Sequence, residues 1–145
     1  MAFQFSLATV LRYRESIEKR EERALQAVLA ELARVRHEVE LVTAEMARAQ
    51  DARNEAMKQP LAAIHLQGMT DRINTTVDRK KALIKSLEAI NEKRDLQMKK
   101  YQAAHRDRQM LSDMQTRQHD AFEQERSRSE QKVLDDIFGA RAQRN

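Results

Sequence analysis

The feature that most limits how this chain can fold is the near absence of residues that end helices. Its 145 residues include only two glycines and one proline, and residues 1–59 and 69–138 contain neither. Sheets, sandwiches and barrels need many tight turns, which glycine and proline usually supply. Ala, Leu, Glu, Arg, Lys and Gln, all good helix formers, are abundant instead. We therefore predict an all-α protein built from two long helices.

The single interruption lies in the middle of the chain, between Lys58 and Gly68. Pro60 suits the first turn of a helix, where its missing N–H group costs nothing. Residues 61–68 are compatible with a loop or with a helical turn, and Thr70 is a possible cap for a helix that restarts after the glycine. The predicted elements are a helix over about residues 6–58, a bend near 58–69 and a helix over about 61–138, in one domain of residues 1–145.

Apolar residues in the first helix recur at alternating spacings of three and four, which is typical of a coiled coil. These residues are Leu25, Val28, Leu32, Val35, Val39, Val42, Met46 and Ala49. Upstream, a second register runs through Leu7, Val10, Arg14, Ile17, Glu21, Ala24 and Val28. The two registers join through consecutive steps of four, which predicts a stutter that locally unwinds the supercoil.

The apolar stripe of the second helix is weaker. Its members are Ile73, Val77, Ile84, Leu87, Met98, Tyr101, Leu111 and Met114. Lys80, Arg94 and Arg108 interrupt the stripe, and methionine packs loosely because its side chain is flexible. We therefore expect the two helices to hold each other less tightly than a regular leucine heptad would.

A helix of about 50 residues is about 75 Å long and has no core of its own. Its stripe must pack against the second helix or against another chain. An antiparallel hairpin avoids the entropy cost of association and predicts a monomer in isolation, whereas a self-associating structural coiled coil is the alternative. A bend centred on residue 64 sets Phe5 opposite Phe122 and leaves the C-terminal helix overhanging the N-terminus. Phe3 lies at the same end of the hairpin. The three rings either fasten the two helix ends together or bind a partner.

Charge is distributed unevenly along the chain. The first 60 residues carry ten basic and ten acidic side chains, whereas residues 61–108 carry eleven and six. Such an excess is usually a solvated face, and otherwise it favours an acidic protein surface or nucleic acid. A leucine-zipper factor places a nearly pure basic region ahead of its heptads, and here acids alternate with bases. A basic nucleic-acid binder is therefore the weaker alternative.

The motifs by which enzymes and metal sites are usually recognised are missing from the sequence. Two isolated glycines cannot form a phosphate-binding loop, and a chain without cysteine has no thiolate ligands. The four histidines are never four residues apart, so no helical zinc pair is formed. We expect no catalytic residue, no metal and no cofactor. With no signal peptide and no apolar run of about 18 residues, we expect a cytoplasmic protein without a transmembrane segment.

Both ends of the chain carry short motifs. The N-terminal motif is Phe3-Gln4-Phe5-Ser6-Leu7, followed by Val10-Leu11, Arg14-Glu15 and Glu18. The C-terminal motif is Glu130-Gln131-Lys132-Val133-Leu134-Asp135-Asp136. Together they resemble the flagellar export protein FliJ family, which opens with aromatic–x–aromatic–x–Leu and ends with Leu-Asp-Asp/Glu. Length, the mid-chain break and the heptads extend the resemblance over the whole chain, and the injectisome stalk proteins are the nearest related group.

The resemblance implies a two-helix stalk of the flagellar type III export ATPase complex. Such a protein binds the hexameric export ATPase without hydrolysing ATP, contacts the cytoplasmic domain of the export-gate membrane protein, and escorts export chaperones. It implies a place at the cytoplasmic face of the inner membrane, at the flagellar base, and a role in motility and chemotaxis. The expected ring contacts are Phe3, Phe5, Leu11, Arg12, Arg14, Glu15, Glu18, Lys132, Asp135 and Asp136. The expected contacts with the export gate are Lys80, Lys81 and Lys85.

Overall fold

The computed structural model describes residues 2–144 and is an all-α antiparallel hairpin. Helix α1 covers Ala8–Ala56 and helix α2 covers Ala63–Gln143. Gly68 lies inside α2, and the Thr70 hydroxyl donates a 3.0 Å hydrogen bond to the carbonyl of Leu66, four residues earlier. Thr70 therefore belongs to the second turn of a continuous helix and caps nothing.

The bend is shorter than the region that glycine and proline mark in the sequence. The chain leaves α1 through a turn in which the Lys58 amide donates to the Glu55 carbonyl at 3.2 Å and the Gln59 amide donates to the Ala56 carbonyl at 3.3 Å. Pro60 lies in the connection just before α2, where it has no amide to leave unsatisfied. The six residues 57–62 are enough to reverse the chain direction.

The hairpin divides into two compact units, and we describe each by itself. The first contains residues up to Arg20 together with those from Tyr101 onward, and the second contains Glu21–Lys100. In the second unit, Leu32 packs with Val28, Val35 and Ile90, and Leu87 lies against this cluster. This is ordinary coiled-coil packing, in which apolar side chains spaced by three and four meet those of the facing helix.

Two ion pairs give the helix register within the second unit. Arg79 lies 3.8 Å from Glu45, and Lys93 lies 3.5 Å from Glu31. Both pairs correspond to a bend centred on residue 62. The centre predicted from the sequence, residue 64, is therefore displaced by two residues, which moves the expected partner of each residue on the facing helix by four positions. The difference follows from the end of the bend at Ala62, well before Gly68.

Burial along α1 shows no stutter. Leu11 is 7% exposed and Val10 is 42% exposed, so the buried position is one residue later than the upstream register requires. The half-buried Glu18 and the buried Leu25 continue the same heptad. The stutter prediction is wrong because it assigned Val10, Ile17 and Ala24 to the core, whereas the next residue in each case, Leu11, Glu18 and Leu25, occupies the heptad position.

The core positions of α2 also differ in part from the predicted stripe. Ile73 is buried and Leu87 and Tyr101 are half-buried, as predicted, whereas Ile84 and Met114 are exposed. Smaller side chains take core positions instead, including Thr76, whose hydroxyl donates to the Arg72 carbonyl at 2.9 Å. Lys80, Arg94 and Arg108 are half-buried at heptad positions. Within residues 2–144, neither helix has a stretch long and apolar enough to cross a membrane.

Candidate partner-binding surface

The aromatic residues near the N-terminus pack against α2 inside the first unit. The ring of Phe3 meets His119 edge-on at 5.1 Å between ring centroids and lies 5.7 Å from the ring of Phe122. Phe5 and Leu11 are each only 7% exposed. Phe3 therefore fastens the N-terminal segment to α2, in the place beside Phe122 that the sequence predicted for Phe5, while Phe5 and Leu11 are buried within the first unit.

A charged cluster occupies the next core positions of the first unit. Arg108 Nε donates a 2.5 Å hydrogen bond to Glu18 Oε2, and His105 Nδ1 lies 3.4 Å from Glu18 Oε1. The Glu18 and Arg108 side chains are only 16% and 23% exposed. Beside them, Arg14 Nη1 donates to Asp107 Oδ2 at 3.3 Å. Ion pairs and hydrogen bonds thus take the place of apolar packing between the helices.

The Glu18–Arg108 pair changes the ionisation of both groups. The hydrogen bond from Arg108 holds the pKa of the Glu18 carboxyl below its ordinary value of 4.5, His105 acts in the same direction, and partial burial opposes them. The same bond raises the pKa of Arg108. The carboxylate is therefore more stable in the folded chain than in the unfolded chain.

This depressed pKa predicts a specific loss of stability in acid. A carboxyl whose pKa is lowered by folding contributes fully above its unfolded pKa, and its contribution disappears as pH falls through the folded pKa. We expect wild type to exceed Glu18→Gln by about 1–2 kcal/mol in unfolding free energy at neutral pH. That difference should stay constant down to about pH 5 and shrink below 4.5. Urea titrations of both proteins from pH 7 to pH 3 measure it, and a difference that grows in acid would contradict the assignment.

The exposed charges that the sequence singled out form two separate groups. Arg12 and Glu15 are exposed on the first two turns of α1, close to the Arg14–Asp107 pair. Lys132 lies 25 residues beyond Asp107 on the same helix, which is about 37 Å along its axis. Asp135 and Asp136 follow it and are also exposed. A partner that contacts both groups must therefore reach along α2.

The last part of α2 has no helix packed on it. Every residue from 124 to 144 is exposed, whereas Phe122 and Glu123 are still half-buried. We call residues 124–143 the extension. Four large apolar side chains of the extension are exposed: Val133 by 57%, Leu134 by 48%, Ile137 by 44% and Phe138 by 62%.

The basic segment of α2 is partly neutralised by α1. Arg79 and Lys93 pair with glutamates of the facing helix, and Lys80 is half-buried at a core position. Lys81 and Lys85 are exposed and lie one turn apart, so they form the accessible part of the predicted gate contact. No group of three metal-ligating side chains occurs in the part of the chain that the structure describes.

A comparison with known protein families identifies the chain. The family model described as the flagellar FliJ protein matches residues 3–145, which is nearly the whole sequence. This chain belongs to the FliJ family. The sequence has no match among curated proteins and none among solved structures.

Membership of the FliJ family gives a general role. The chain is a component of the flagellar protein export apparatus, and its family consists of export components rather than known enzymes. The hairpin and its two family-like ends agree with this role. Among the residues that the resemblance singled out, Phe3, Phe5 and Leu11 pack inside the first unit, whereas Arg14 and Glu18 pair with Asp107 and Arg108.

The sequence reasoning overlooked one surface of this FliJ-family chain. Val133, Leu134, Ile137 and Phe138 are spaced i, i+1, i+4 and i+5, so they share one face of α2. In the sequence, Val133 and Leu134 stand out only as part of the C-terminal motif. The spacing, together with the predicted overhang, was the signal that could have identified an unpartnered apolar face.

Proposed function

We propose that this chain binds the hexameric export ATPase as a central stalk and promotes assembly and activity of the ring. Family membership and the helical hairpin support the proposal. The observation that carries it is the arrangement of the first unit, in which Phe3, Phe5 and Leu11 are packed inside while charged side chains cover the outside. Exposed ion pairs contribute roughly 0–1 kcal/mol each, so such contacts exchange readily inside a ring.

The proposed contacts are the exposed charges of the first unit. Arg12 and Glu15 offer one group, and Lys132, Asp135 and Asp136 offer the second along the extension. Arg14 and Glu18 act indirectly, since their side chains pair with Asp107 and Arg108 and hold the two helices together. Phe3, Phe5 and Leu11 likewise shape this end through packing.

Charge reversal on α1 tests the ring contact. We expect Arg12→Glu combined with Glu15→Arg to weaken binding to the export ATPase by about tenfold and to reduce ATPase stimulation, because attractive contacts become repulsive at constant net charge. Isothermal titration calorimetry with the purified ATPase measures the affinity, and phosphate release measures the stimulation.

The matched control reverses an equivalent exposed pair in the middle of α1. Arg36→Glu combined with Glu40→Arg changes the same charge types in the second unit, and both residues are exposed. We expect this control to bind and stimulate the ATPase like wild type. Equal losses in both variants, or none in either, would remove Arg12 and Glu15 from the contact.

The same proposal extends to the export gate and to the chaperones. We propose that Lys81 and Lys85 dock against an acidic surface of the cytoplasmic domain of the gate protein, with the aliphatic part of Lys80 packed beneath them. Their exposure and the basic excess of this segment support the assignment. The role places the chain at the cytoplasmic face of the inner membrane, where it also escorts export chaperones.

Gate binding has its own test. We expect Lys81→Glu combined with Lys85→Glu to weaken binding to the gate domain by about tenfold and to reduce swimming motility, since both charges are exposed. Lys99→Glu combined with Lys100→Glu is the control, with the same charge change further along α2. Biolayer interferometry and soft-agar swimming are the readouts, and a control variant as impaired as the test variant would contradict the assignment.

A further inference from the structure

The exposed face of the extension has a symmetric order of residues. Four apolar side chains form its centre, with Glu130 three residues before Val133 and Arg141 three residues after Phe138. Spacings of three and four place residues on the same helix face, so the acid, the apolar block and the base form one stripe. We call this stripe the VLIF face; its members are Glu130, Val133, Leu134, Ile137, Phe138 and Arg141.

We propose that the VLIF face pairs with the VLIF face of a second copy of this chain, with the two helices antiparallel. Reversing the stripe returns the apolar block to the same place and exchanges the acid with the base, so the reversed stripe is complementary in charge to the original. Val133 then lies opposite Phe138, and Leu134 lies opposite Ile137. Glu130 of each copy meets Arg141 of the other, and the two-fold axis relates these two ion pairs to each other.

Charge determines the direction of the pairing. A parallel arrangement sets Glu130 beside Glu130 and Arg141 beside Arg141, which places like charges together. The antiparallel arrangement converts both contacts into attractions. Glu130 is 68% exposed and lies 3.6 Å from Arg126 of its own helix, a weak contact that does not prevent approach of a second copy.

The expected affinity is low because the paired surface is short. Glu130 to Arg141 spans about 17 Å of helix, well below the size of a stable interface. The helix is already formed, so pairing costs little backbone ordering. We expect a dissociation constant on the order of 100 µM, which keeps the chain monomeric when dilute and pairs the VLIF faces where chains are concentrated.

Sedimentation equilibrium of the full chain tests the pairing without any export partner, and so independently of the proposed ATPase contact. Between about 10 µM and about 1 mM we expect the average mass to rise from the 16.9 kDa of the monomer towards twice that value. Ile137→Asp should raise the dissociation constant by more than about a hundredfold, since it sets a carboxylate in the apolar block. A constant monomer mass at every concentration would overturn the proposal.

A charge exchange tests the antiparallel geometry. We expect Glu130→Arg alone and Arg141→Glu alone each to weaken self-association by about tenfold, because each variant sets like charges opposite each other. Mixing the two variants should restore wild-type affinity, since every contact is again between opposite charges. Arg128→Glu, an exposed reversal on the other side of the extension, is the control and should associate like wild type.

The outcomes of the exchange are unambiguous. Far-ultraviolet circular dichroism confirms that each variant is helical, as expected for exposed positions. Recovery in the mixture supports the VLIF pairing. Failure to recover, or an equal loss in Arg128→Glu, would show that another surface holds the copies together and would overturn it.

Discussion

Replacing Leu32 with alanine is expected to lower the free energy of unfolding by about 2–4 kcal/mol. Leu32 is 3% exposed and packs between Val28, Val35 and Ile90 in the second unit. Removal of three carbons leaves a cavity that two long helices cannot easily close, because neighbouring core side chains hold them apart. Few large apolar residues are buried in this chain, so one of them carries a large share of its stability.

Leu41→Ala is the matched control for this substitution. Leu41 lies on the same helix and is 55% exposed, so we expect a change within about 0.5 kcal/mol. Urea unfolding followed at 222 nm compares the two variants with wild type. If Leu32→Ala were as mild as Leu41→Ala, the hairpin would not depend on the Leu32 cluster.

Replacing both Glu18 and Arg108 with leucine is expected to stabilise the hairpin, whereas replacing Arg108 alone should destabilise it. Arg108→Leu leaves a carboxylate that is 16% exposed without its closest cation, at a cost of about 1–3 kcal/mol. The double variant instead places two leucines at facing core positions, and we expect it to exceed wild type by about 1–2 kcal/mol. The sign reversal between the single and double variants is the sharpest feature of this prediction.

The neighbouring ion pair serves as the control for the double variant. Arg14 and Asp107 are 40% and 50% exposed, so their interaction is screened by water. A double-mutant cycle at these two positions should give a coupling energy below about 0.5 kcal/mol. Equal coupling at the two pairs would mean that burial does not distinguish them.

Stability measurements on the leucine variant also bear on function. The proposed ring contacts are exposed charges of the first unit, whereas the Glu18–Arg108 pair lies inside that unit. The same leucine pair that stabilises the chain should therefore not improve ATPase stimulation. Measuring both properties on one protein separates a stabilising effect from a functional one.

Regular repetition made much of the fold predictable from the sequence. The residues from Leu25 to Ala49 that follow the heptad are all buried or half-buried. The missing helix breakers predicted two helices, and α1 and α2 are the result. Local propensity and periodicity act over a few residues, so a sequence displays them directly.

Prediction was least successful where polar residues occupy the core. Val10 looked like the core residue because it is apolar, yet Leu11 is buried and Val10 is exposed. Ile84 and Met114 are likewise apolar and yet exposed, whereas Thr76 and Ala104 are buried. Which residue faces the partner helix depends on the phase of the whole helix pair, and hydropathy alone does not determine that phase.

The sequence also indicated part of the candidate partner-binding surface, while the rest needed the structure. The motifs at both ends pointed to Arg12, Glu15, Lys132 and the aspartates as partner contacts, which remains a prediction. The pairing of Glu18 with Arg108 was visible only once both helices were in place, whereas spacing and the predicted overhang already indicated the unpartnered VLIF face. Burial and pairing between residues about 90 positions apart are properties of the packed chain.

The amino-acid sequence by itself determined that this protein is two long helices joined by one bend, because helix propensity and the scarcity of glycine and proline act locally. Only the tertiary structure decided which side chains face the opposite helix and which charges are neutralised there. These depend on the register between distant segments, and a shift of one residue rotates every side chain of a helix by about 100°.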